Sequence, residues 1–243
     1  MPFVEEALLV VEKGMTGATG NIYCGLHEFA DMTLVLHLLR PGDLFLDAGA
    51  NVGSYTVLAA KVTGAQCVAV EPVRSTFERL FRNIKINGLN QDVELWECAL
   101  GSSNGHIQFS ADRDTMNQAV DTDYPGERIS VPVRTIDELL AGKSSIMWKV
   151  DVEGFEQEVL RGATNALQNE HLRVVLLESD GPEVSRMMSM AGFARCTYDP
   201  FVRQLNASTS QGGRHNHLWV RDPATVQSRC QMAPKRIILG TEI

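Results

Sequence analysis

The chain has 243 residues, of which 44% are apolar and 21% charged, which is an ordinary globular composition that excludes global disorder. Its length fits one α/β domain, and we expect a single domain over residues 1–243. Lys and Arg number 22 against 30 Asp and Glu, and the resulting net charge of -8 would repel a phosphate backbone. We therefore expect no nucleic-acid partner.

The sequence carries no sign of membrane insertion or secretion. No stretch approaches the ~20 consecutive apolar residues of a membrane helix, and the start, MPFVEEALLVVEKG, lacks the features of a signal peptide. We expect a cytoplasmic protein. The 5 cysteines are widely spaced without a C-x-x-C pair, so they indicate neither a disulfide framework nor a zinc site.

Helix and strand patterns alternate through the first hundred residues. Apolar side chains recur at helical spacing or in short buried runs, and Pro-Gly, Asn-Gly or single Gly positions separate them. The predicted elements are a helix over 26–39, a strand over 44–47, a helix from 53 to 64, a strand over 67–71, a helix over 75–87 and a strand over 93–100.

The alternation continues after an interruption. Two strand-like runs, HIQFS and ISVPVRT, flank the polar stretch 111–128, which is either a lid over a site or a plain surface loop. The later elements are a short helix capped by Thr135, a strand over 146–152, a helix over 155–167, a strand over 174–178, a helix over 183–191 and strands near 194–198 and 217–221.

Apolar strands separated by long helices are typical of a mostly parallel sheet that is covered on both faces. The predicted fold class is therefore doubly wound α/β, with an inserted β-hairpin or lid region. We expect residues 1–40 to form an N-terminal helical cap, 41–180 the ligand-binding core, and 181–243 the strands that complete the sheet.

In such sheets the ligand binds beyond the carboxyl ends of the strands. The first strand runs into DAGANVG, which is not a dinucleotide fingerprint because Ala50 replaces a glycine, and is not a P-loop because no G-K-[ST] follows. The acid Asp47 opens this loop and favours a ligand with an ammonium group. Glu71 ends the second strand, where an acid binds a ribose diol. Together they predict S-adenosylmethionine, although an ordinary turn and a solvated strand end remain the alternatives.

Four segments resemble successive motifs of the FkbM-type S-adenosylmethionine-dependent methyltransferases: LFLDAGANVGSYT, VAVEPVRSTFERLFRNIKING, VPVRTIDELL and MWKVDVEGFEQEVLRGA. The resemblance covers roughly residues 26–180, and the K-x-D-x-E-G run is its most specific part. It implies a Rossmann-like class I methyltransferase fold and methyl transfer to a hydroxyl group of a sugar or secondary metabolite, with S-adenosylhomocysteine as the product.

The resemblance also assigns residues to the cofactor. It assigns Asp47, Gly49, Asn51 and Gly53 to the cofactor loop, Glu71 to the ribose hydroxyls, and Ala99 and Leu100, after the third strand, to the sides of the adenine. Glu28 either contacts the methionine end or is a surface charge. The predicted cofactor-binding residues are Glu28, Asp47, Gly49, Asn51, Gly53, Glu71, Pro72, Ala99 and Leu100.

Lys149, Asp151 and Glu153 alternate along the predicted strand 146–152 and share a face if the strand runs that far. Such charges are costly in a core but natural in a cleft. A hydroxyl acceptor benefits from a general base, so we predict that Asp151 takes the hydroxyl proton while Lys149 tunes its charge or orients the acceptor. A purely structural ion pair stays open as the alternative.

Other chemistries remain open. Glu178 ends the next predicted strand and is counted with the catalytic residues, because it can join Asp151 in holding Mg²⁺, although we favour a metal-free site. His215 and His217 form an H-x-H pair that is either a metal site or an ordinary surface feature. A non-catalytic cofactor-binding module and an oxidoreductase are the rival functional classes.

Overall fold

A computed structural model describes residues 1–12, 16–110, 126, 128–179, 181–208 and 216–243. Within these residues the strands are β1 (Leu44–Ala48), β2 (Gln66–Val70), β3 (Val93–Trp96), β4 (Ala99–Leu100), β5 (Gly105–Ser110), β6 (Arg128–Arg134), β7 (Met147–Val150), β8 (Val174–Leu177), β9 (Ala194–Asp199), β10 (Gln204–Ala207), β11 (His217–Val220), β12 (Ile237–Ile238) and β13 (Thr241–Glu242). The α-helices are α1 (Thr16–Cys24), α2 (Phe29–Leu38), α3 (Ser54–Val57), α4 (Arg74–Ile86), α5 (Ile136–Leu139), α6 (Glu156–Arg161), α7 (Thr164–Gln168), α8 (Pro182–Met190) and α9 (Pro223–Gln231).

The central sheet of the described chain has the strand order β10-β9-β11-β8-β7-β1-β2-β3. The five strands from β8 to β3 pair in parallel, whereas β11 pairs antiparallel with both of its neighbours. The chain moves outward from β1 to β3 and then returns to β7, on the other side of β1. This reversal creates a crevice at the carboxyl ends of β1 and β7, where α/β proteins bind ligands. The fold is Rossmann-like and doubly wound, as predicted.

Each face of the sheet carries its own apolar core, because successive strand residues point to opposite faces. Phe45 belongs to the core beneath α2, α4 and α9, and its neighbour Leu46 belongs to the core beneath α5, α6 and α8. Both side chains are fully buried. By the same alternation, Asp47 lies on the face of Phe45, where α3 follows the loop.

Three predicted elements differ from the structure in extent or in type. The strand over 93–100 is two strands, because β3 ends at Trp96 and β4 pairs with β6 in a separate three-stranded sheet. The helix over 155–167 is broken into α6 and α7 near Gly162, where a Cβ atom would lie 2.0 Å from the carbonyl oxygen of Gly101. The helix after Gly53 continues from α3 into a π-helix, Leu58–Thr63, and ends at Gly64 as predicted.

The two ends of the chain differ most from the prediction. The predicted N-terminal cap is only partly helical, since residues 1–12 contain an isolated bridge between Pro2 and Leu8 instead of a helix. At the other end, β10, α9, β12 and β13 had no counterpart among the predicted elements. None of the helices in the described part of the chain combines the length and apolarity needed to cross a lipid bilayer.

Candidate functional site

Two joined cavities open at the carboxyl ends of the parallel strands. The first, which we call the apolar cleft, has a volume of about 800 Å³ and is lined by Val70, Glu71, Ala99, Leu100, Ile107 and Phe155 among others. The second, the acidic pocket, has a volume of about 610 Å³ and is lined by Glu28, Asp47, Tyr55 and Lys149 among others. Gly49, Asn51 and Asp151 line both.

The loop after β1 contributes Gly49 and Asn51 to the walls of both cavities. Gly49, Asn51 and Gly53 all have positive φ angles, of 79°, 53° and 90°. The amides of Gly49 and Ala50 donate to the carbonyl oxygen of Val70, at 3.0 and 2.9 Å, so the loop is tied to the end of β2. Gly49 is required on steric grounds, since a Cβ atom would lie 1.8 Å from the carbonyl oxygen of Asp151. Gly49 and Asn51 thus lie at the wall of both cavities, whereas Gly53 is not among the lining residues of either.

Asp47 is buried at the end of β1, with 1% of its surface exposed. Its Oδ2 accepts a hydrogen bond of 2.5 Å from the hydroxyl group of Thr56, on α3. Its Oδ1 has no hydrogen-bond partner among the described residues. Burial raises the pKa of Asp47, and the nearby ammonium group of Lys149 opposes that rise. A buried acceptor without a partner is costly, so this oxygen is suited to a ligand donor.

Glu71 follows β2 and is also buried. Its Oε2 accepts from the amide of Asn51 at 3.0 Å, and its Oε1 accepts from the amide of Val73 at 2.9 Å. Burial raises the pKa of Glu71 to about 7, although the two amide groups work in the opposite direction. Each oxygen keeps a second acceptor position, so the carboxylate is fixed in place and still able to bind hydroxyl groups.

Lys149 and Asp151 form an ion pair, with 2.6 Å between Nζ and Oδ2. The side chain of Lys149 is 5% exposed, whereas that of Asp151 is 32% exposed. Burial alone would lower the pKa of Lys149, but the carboxylates of Asp151, Asp47 and Glu28 outweigh burial and raise it. Nζ also lies 4.9 Å from the centre of the Tyr55 ring. Lys149 is therefore a permanent positive charge in the acidic pocket.

The strand does not run as far as Glu153, and it ends two residues before the predicted end at Val152. Strand β7 ends at Val150, and Glu153 has a φ angle of 53°, which takes its side chain off the alternating pattern. Its amide instead donates to Oε2 of Glu178 at 3.1 Å. One carboxylate oxygen from each of Asp151, Glu153 and Glu178 lies within 4.8 Å of the others. The structure thus brings Glu178 to Asp151, as predicted, through the adjacent strand end.

The pKa values of Asp151 and Glu178 shift in opposite directions. Burial raises the pKa of Asp151, but the ammonium group of Lys149 and a hydrogen bond with Glu178 outweigh it, and the pKa is lowered overall. Burial and the negative charges of Asp151 and Glu153 raise the pKa of Glu178 to about 8. Near neutral pH, Asp151 is therefore the ionised partner and Glu178 the protonated one.

Glu28 lies at the rim of the acidic pocket, at the residue before α2. Its Oε1 accepts from Nδ2 of Asn216 at 3.1 Å, and the same nitrogen donates to Oδ2 of Asp31 at 3.0 Å. Burial and the charges of Glu28 and Asp31 raise the pKa of Tyr55 well above its usual range. Of the two readings of Glu28, the structure places it at the pocket rather than on the open surface.

Pro72, Ala99 and Leu100 line the apolar cleft as predicted. The sequence did not point to Ile107 and Phe155, which complete its apolar wall, or to Tyr55, Thr56 and Asn216 in and around the acidic pocket. Tyr55 and Thr56 follow Gly53 directly, so the first motif contained a signal for them. Nothing in the sequence marked Asn216, because its partners Glu28 and Asp31 are far from it along the chain.

Some predicted features lie outside the described residues. These are His215 and most of the stretch 111–128, where only 126 and 128 are described. His217 lies at the start of β11, and its Nδ1 is 2.7 Å from Nη2 of Arg195. Nδ1 of His217 therefore accepts a hydrogen bond from Arg195 and is not available to a metal ion.

The model of the methyltransferase FkbM domain matches residues 47–204, from Asp47 at the end of β1 to the start of β10. The chain belongs to the FkbM methyltransferase family. The match confirms the predicted resemblance and contains Asp47, Glu71, Asp151 and Glu178.

Curated proteins that are similar to this chain in sequence are also methyltransferases. The hexuronic acid methyltransferase AglP of Haloferax volcanii is 32% identical over 166 residues, which are 65% of this chain and 66% of that protein. Methyltransferase 1 of Beauveria bassiana is 27% identical over 157 residues, covering 54% and 61% of the two chains. The chain thus matches about two thirds of the length of these relatives.

Among solved structures, the FkbM chain is similar to the precorrin-6y C5,15-methyltransferase of Geobacter metallireducens. The similarity has a TM-score of 0.48 and 12% sequence identity, and it covers 90% of this chain and 97% of the other. The doubly wound fold class follows independently from the strand order described above.

Proposed function

We propose that this protein transfers a methyl group from S-adenosylmethionine to a hydroxyl oxygen of a small molecule, a sugar or a secondary metabolite. The observation that carries the proposal is the pair of buried acids Asp47 and Glu71 at adjacent strand ends, each opening into one of two joined cavities. Family membership supports the methyl-transfer chemistry, and the relative AglP, a hexuronic acid methyltransferase, supports a sugar acceptor.

The residues fit this cofactor. The apolar cleft offers Val70, Ala99 and Leu100 to an adenine ring, and Glu71 offers its remaining acceptor positions to the ribose hydroxyls. In the acidic pocket, the unpartnered Oδ1 of Asp47 is suited to an ammonium group. A nucleoside that carries a positively charged amino acid matches both cavities.

When bound, S-adenosylmethionine supplies a methyl group on a sulfonium, which is already a strong electrophile. The protein must align the acceptor oxygen and exclude water. Asp151 lies where the two cavities meet, and we assign to it the acceptance of the hydroxyl proton. Lys149 holds Asp151 in position through the 2.6 Å ion pair, and Glu178 donates its own proton toward the same carboxylate.

A metal-assisted reaction is the second candidate, because Asp151, Glu153 and Glu178 offer oxygen atoms within 4.8 Å of one another. Oxygen ligands at this spacing suit Mg²⁺. The ammonium group of Lys149 already pairs with Asp151 and would repel a divalent cation there, and for that reason the metal-assisted reaction is the second candidate. Loss of turnover with a chelator, restored by Mg²⁺, would select the metal.

The test of the proposed function has two stages. Calorimetry should show binding of S-adenosylhomocysteine, and Asp47→Asn should weaken it, whereas Glu170→Ala, at an exposed position in the turn that precedes the amino end of β8, should not. A mass-spectrometric screen of hydroxylated metabolites with labelled cofactor should then reveal a methylated product. Failure to bind the cofactor rejects the proposal, and binding without any transfer favours a non-catalytic binding module.

A further inference from the structure

An aromatic pair stands beside the acidic pocket. The ring centres of Phe29 and Phe201 are 5.5 Å apart and the ring planes meet at 35°. Phe29 is partly buried and packs against the core beneath α2, whereas Phe201 is 62% exposed and the adjacent Val202 is 60% exposed. A contiguous apolar patch that is exposed to solvent is typical of a binding surface.

The turn that carries Phe201 is held rigidly. Oδ1 of Asp199 accepts from the amides of Phe201 and Val202, at 2.9 and 3.3 Å. Arg203 has a φ angle of 52°, an unfavourable conformation for a residue other than glycine. Its guanidinium group donates to the carbonyl oxygens of Cys230, Gln231, Ala233, Pro234 and Ile243. These hydrogen bonds of Asp199 and Arg203 hold the turn in place, and the turn in turn holds Phe201 in its exposed position.

The pair lies at the edge of the sheet that holds the methyl-transfer site. Strand β9 runs parallel to β8, because both are antiparallel to β11, and the turn after β9 is therefore on the side of the carboxyl ends. Phe29 directly follows Glu28, which lines the acidic pocket, and Met32, one helical turn further along α2, lines it too. Phe29 is thus next to Glu28 in the chain and one helical turn before Met32, and its ring brings Phe201 to this side of the pocket, although neither ring is among the residues that line it.

The charges of the pocket restrict what can rest there. Among its described lining residues are the carboxyl groups of Glu28, Asp47 and Asp151, against the single ammonium group of Lys149, which Asp151 already occupies. An acceptor that brings a carboxylate beside Glu28, in addition to the carboxylate of the cofactor, would add a like charge, which disfavours it. A neutral ring with hydroxyl groups would find hydrogen-bond acceptors in the carboxylates of the pocket and an apolar surface in the aromatic pair beside it.

We propose that Phe29 and Phe201 form the acceptor-binding shelf of this enzyme and that the acceptor is an uncharged sugar ring. The C–H face of a pyranose packs on the exposed ring of Phe201, and one hydroxyl group reaches Asp151. This inference rests on the proposed function and names the substrate class for the same site. It distinguishes the chain from its relative AglP, a hexuronic acid methyltransferase.

The probes are methyl hexopyranosides of the gluco, galacto and manno series, each paired with its hexuronide. Saturation-transfer NMR in the presence of S-adenosylhomocysteine measures their binding. At least one neutral glycoside should bind, more tightly than its hexuronide. Phe201→Ala should weaken that binding about twofold to tenfold, in line with the energy of aromatic contacts, and Phe201→Tyr should preserve it.

Met190→Ala is the matched control, since Met190 is 73% exposed at the far end of α8. It should leave glycoside binding unchanged, and calorimetry should show equal affinity of the wild type and of Phe201→Ala for S-adenosylhomocysteine. The shelf is rejected if no glycoside binds, if the hexuronides bind equally well, or if Phe201→Ala binds like the wild type. Absence of S-adenosylhomocysteine binding, in contrast, rejects the proposed function itself.

Discussion

Gly49 passes so close to Asp151 that a Cβ atom on residue 49 would lie 1.8 Å from the Asp151 carbonyl oxygen. This contact joins the loop after β1 to the residue after β7, and the amide of Asp151 strengthens it by donating to the carbonyl oxygen of Ala48 at 3.0 Å. The cofactor loop and the proposed base are therefore positioned by the same two strand ends.

The first prediction concerns this contact. Gly49→Ala must displace backbone atoms, because the atom in the way belongs to the main chain, and it should lower the melting temperature and abolish cofactor binding. Gly42→Ala is the matched control, since Gly42 has a φ angle of 89°, close to the 79° of Gly49, with nothing within 4 Å of its Cβ position. It should cost only about 1 kcal/mol, the price of the positive φ angle. Equal melting temperatures for the two variants would contradict the steric argument.

The second prediction concerns Glu71 and its hydroxyl partners. Glu71→Ala should weaken the binding of S-adenosylhomocysteine by about 1.5–3 kcal/mol, the contribution of charge-assisted hydrogen bonds. Calorimetry measures the change, with Glu170→Ala as the control. Unchanged affinity would remove Glu71 from the site.

The same carboxylate predicts a pH dependence. The pKa of Glu71 is raised to about 7, so the ionised form that accepts two hydroxyl groups is depleted at lower pH. Affinity for S-adenosylhomocysteine should therefore fall as the pH drops from 8 to 6, by at most about tenfold per pH unit. In Glu71→Ala this dependence should disappear, and its persistence would assign it to another group.

The sequence predicts those parts of the site whose residues are close together in the chain better than those that depend on contacts between distant segments. The ion pair of Lys149 and Asp151 was predictable because the two residues are only two positions apart in the chain, with Asp151 directly after the end of β7. The position of the Glu153 side chain was not predictable. Its positive φ angle ends the alternation of side chains, and a glutamate in the sequence gives no sign of such an angle. Tertiary contacts, not local pattern, set that backbone.

The fold shows the same division. The parallel core was predictable from apolar strands that end in glycine or acidic residues. The break between α6 and α7 was not, because it arises where Gly162 approaches the backbone of Gly101, 61 positions earlier in the chain. The order β10-β9-β11 at the sheet edge likewise depends on pairings between separate segments.

The third prediction concerns the loss of the buried charge. Lys149→Met leaves Asp151 without its ammonium partner, and removal of one member of a buried pair costs about 3–5 kcal/mol. We expect the lower end of that range, because the Asp151 side chain is 32% exposed. The pKa of Asp151 rises in this variant, so the loss of stability should be larger at pH 8 than at pH 5. Urea unfolding at both values measures it.

Lys143→Met is the comparison for the third prediction. Lys143 pairs with Glu94 in a bridge whose side chains are 37% and 42% exposed. Such exposed bridges contribute at most about 1 kcal/mol. Equal losses in the two lysine variants would mean that Lys149 is not a buried structural charge.

The last prediction separates the roles of Asp151 and Glu178. Asp151→Asn keeps the shape and an acceptor for Lys149 but removes the basicity, so the methyl-transfer step should slow by about 10²–10⁴-fold. Single-turnover kinetics measures that step, and cofactor affinity should stay nearly constant. If the variant loses cofactor binding instead, Asp151 holds the ligand and is not the base.

The pH profile then tests the pair. The pKa of Asp151 is lowered, so its carboxylate persists into the acid range and the rate should rise there and level off. The pKa of Glu178 is raised to about 8, and its ionisation removes a hydrogen bond from Asp151, which makes Asp151 a stronger base. The rate should therefore rise a second time near pH 8. Glu178→Gln donates permanently and should lack this second rise; a rise that persists in the variant would show that another group titrates, and Mg²⁺ dependence of the rate would select the metal-assisted reaction instead.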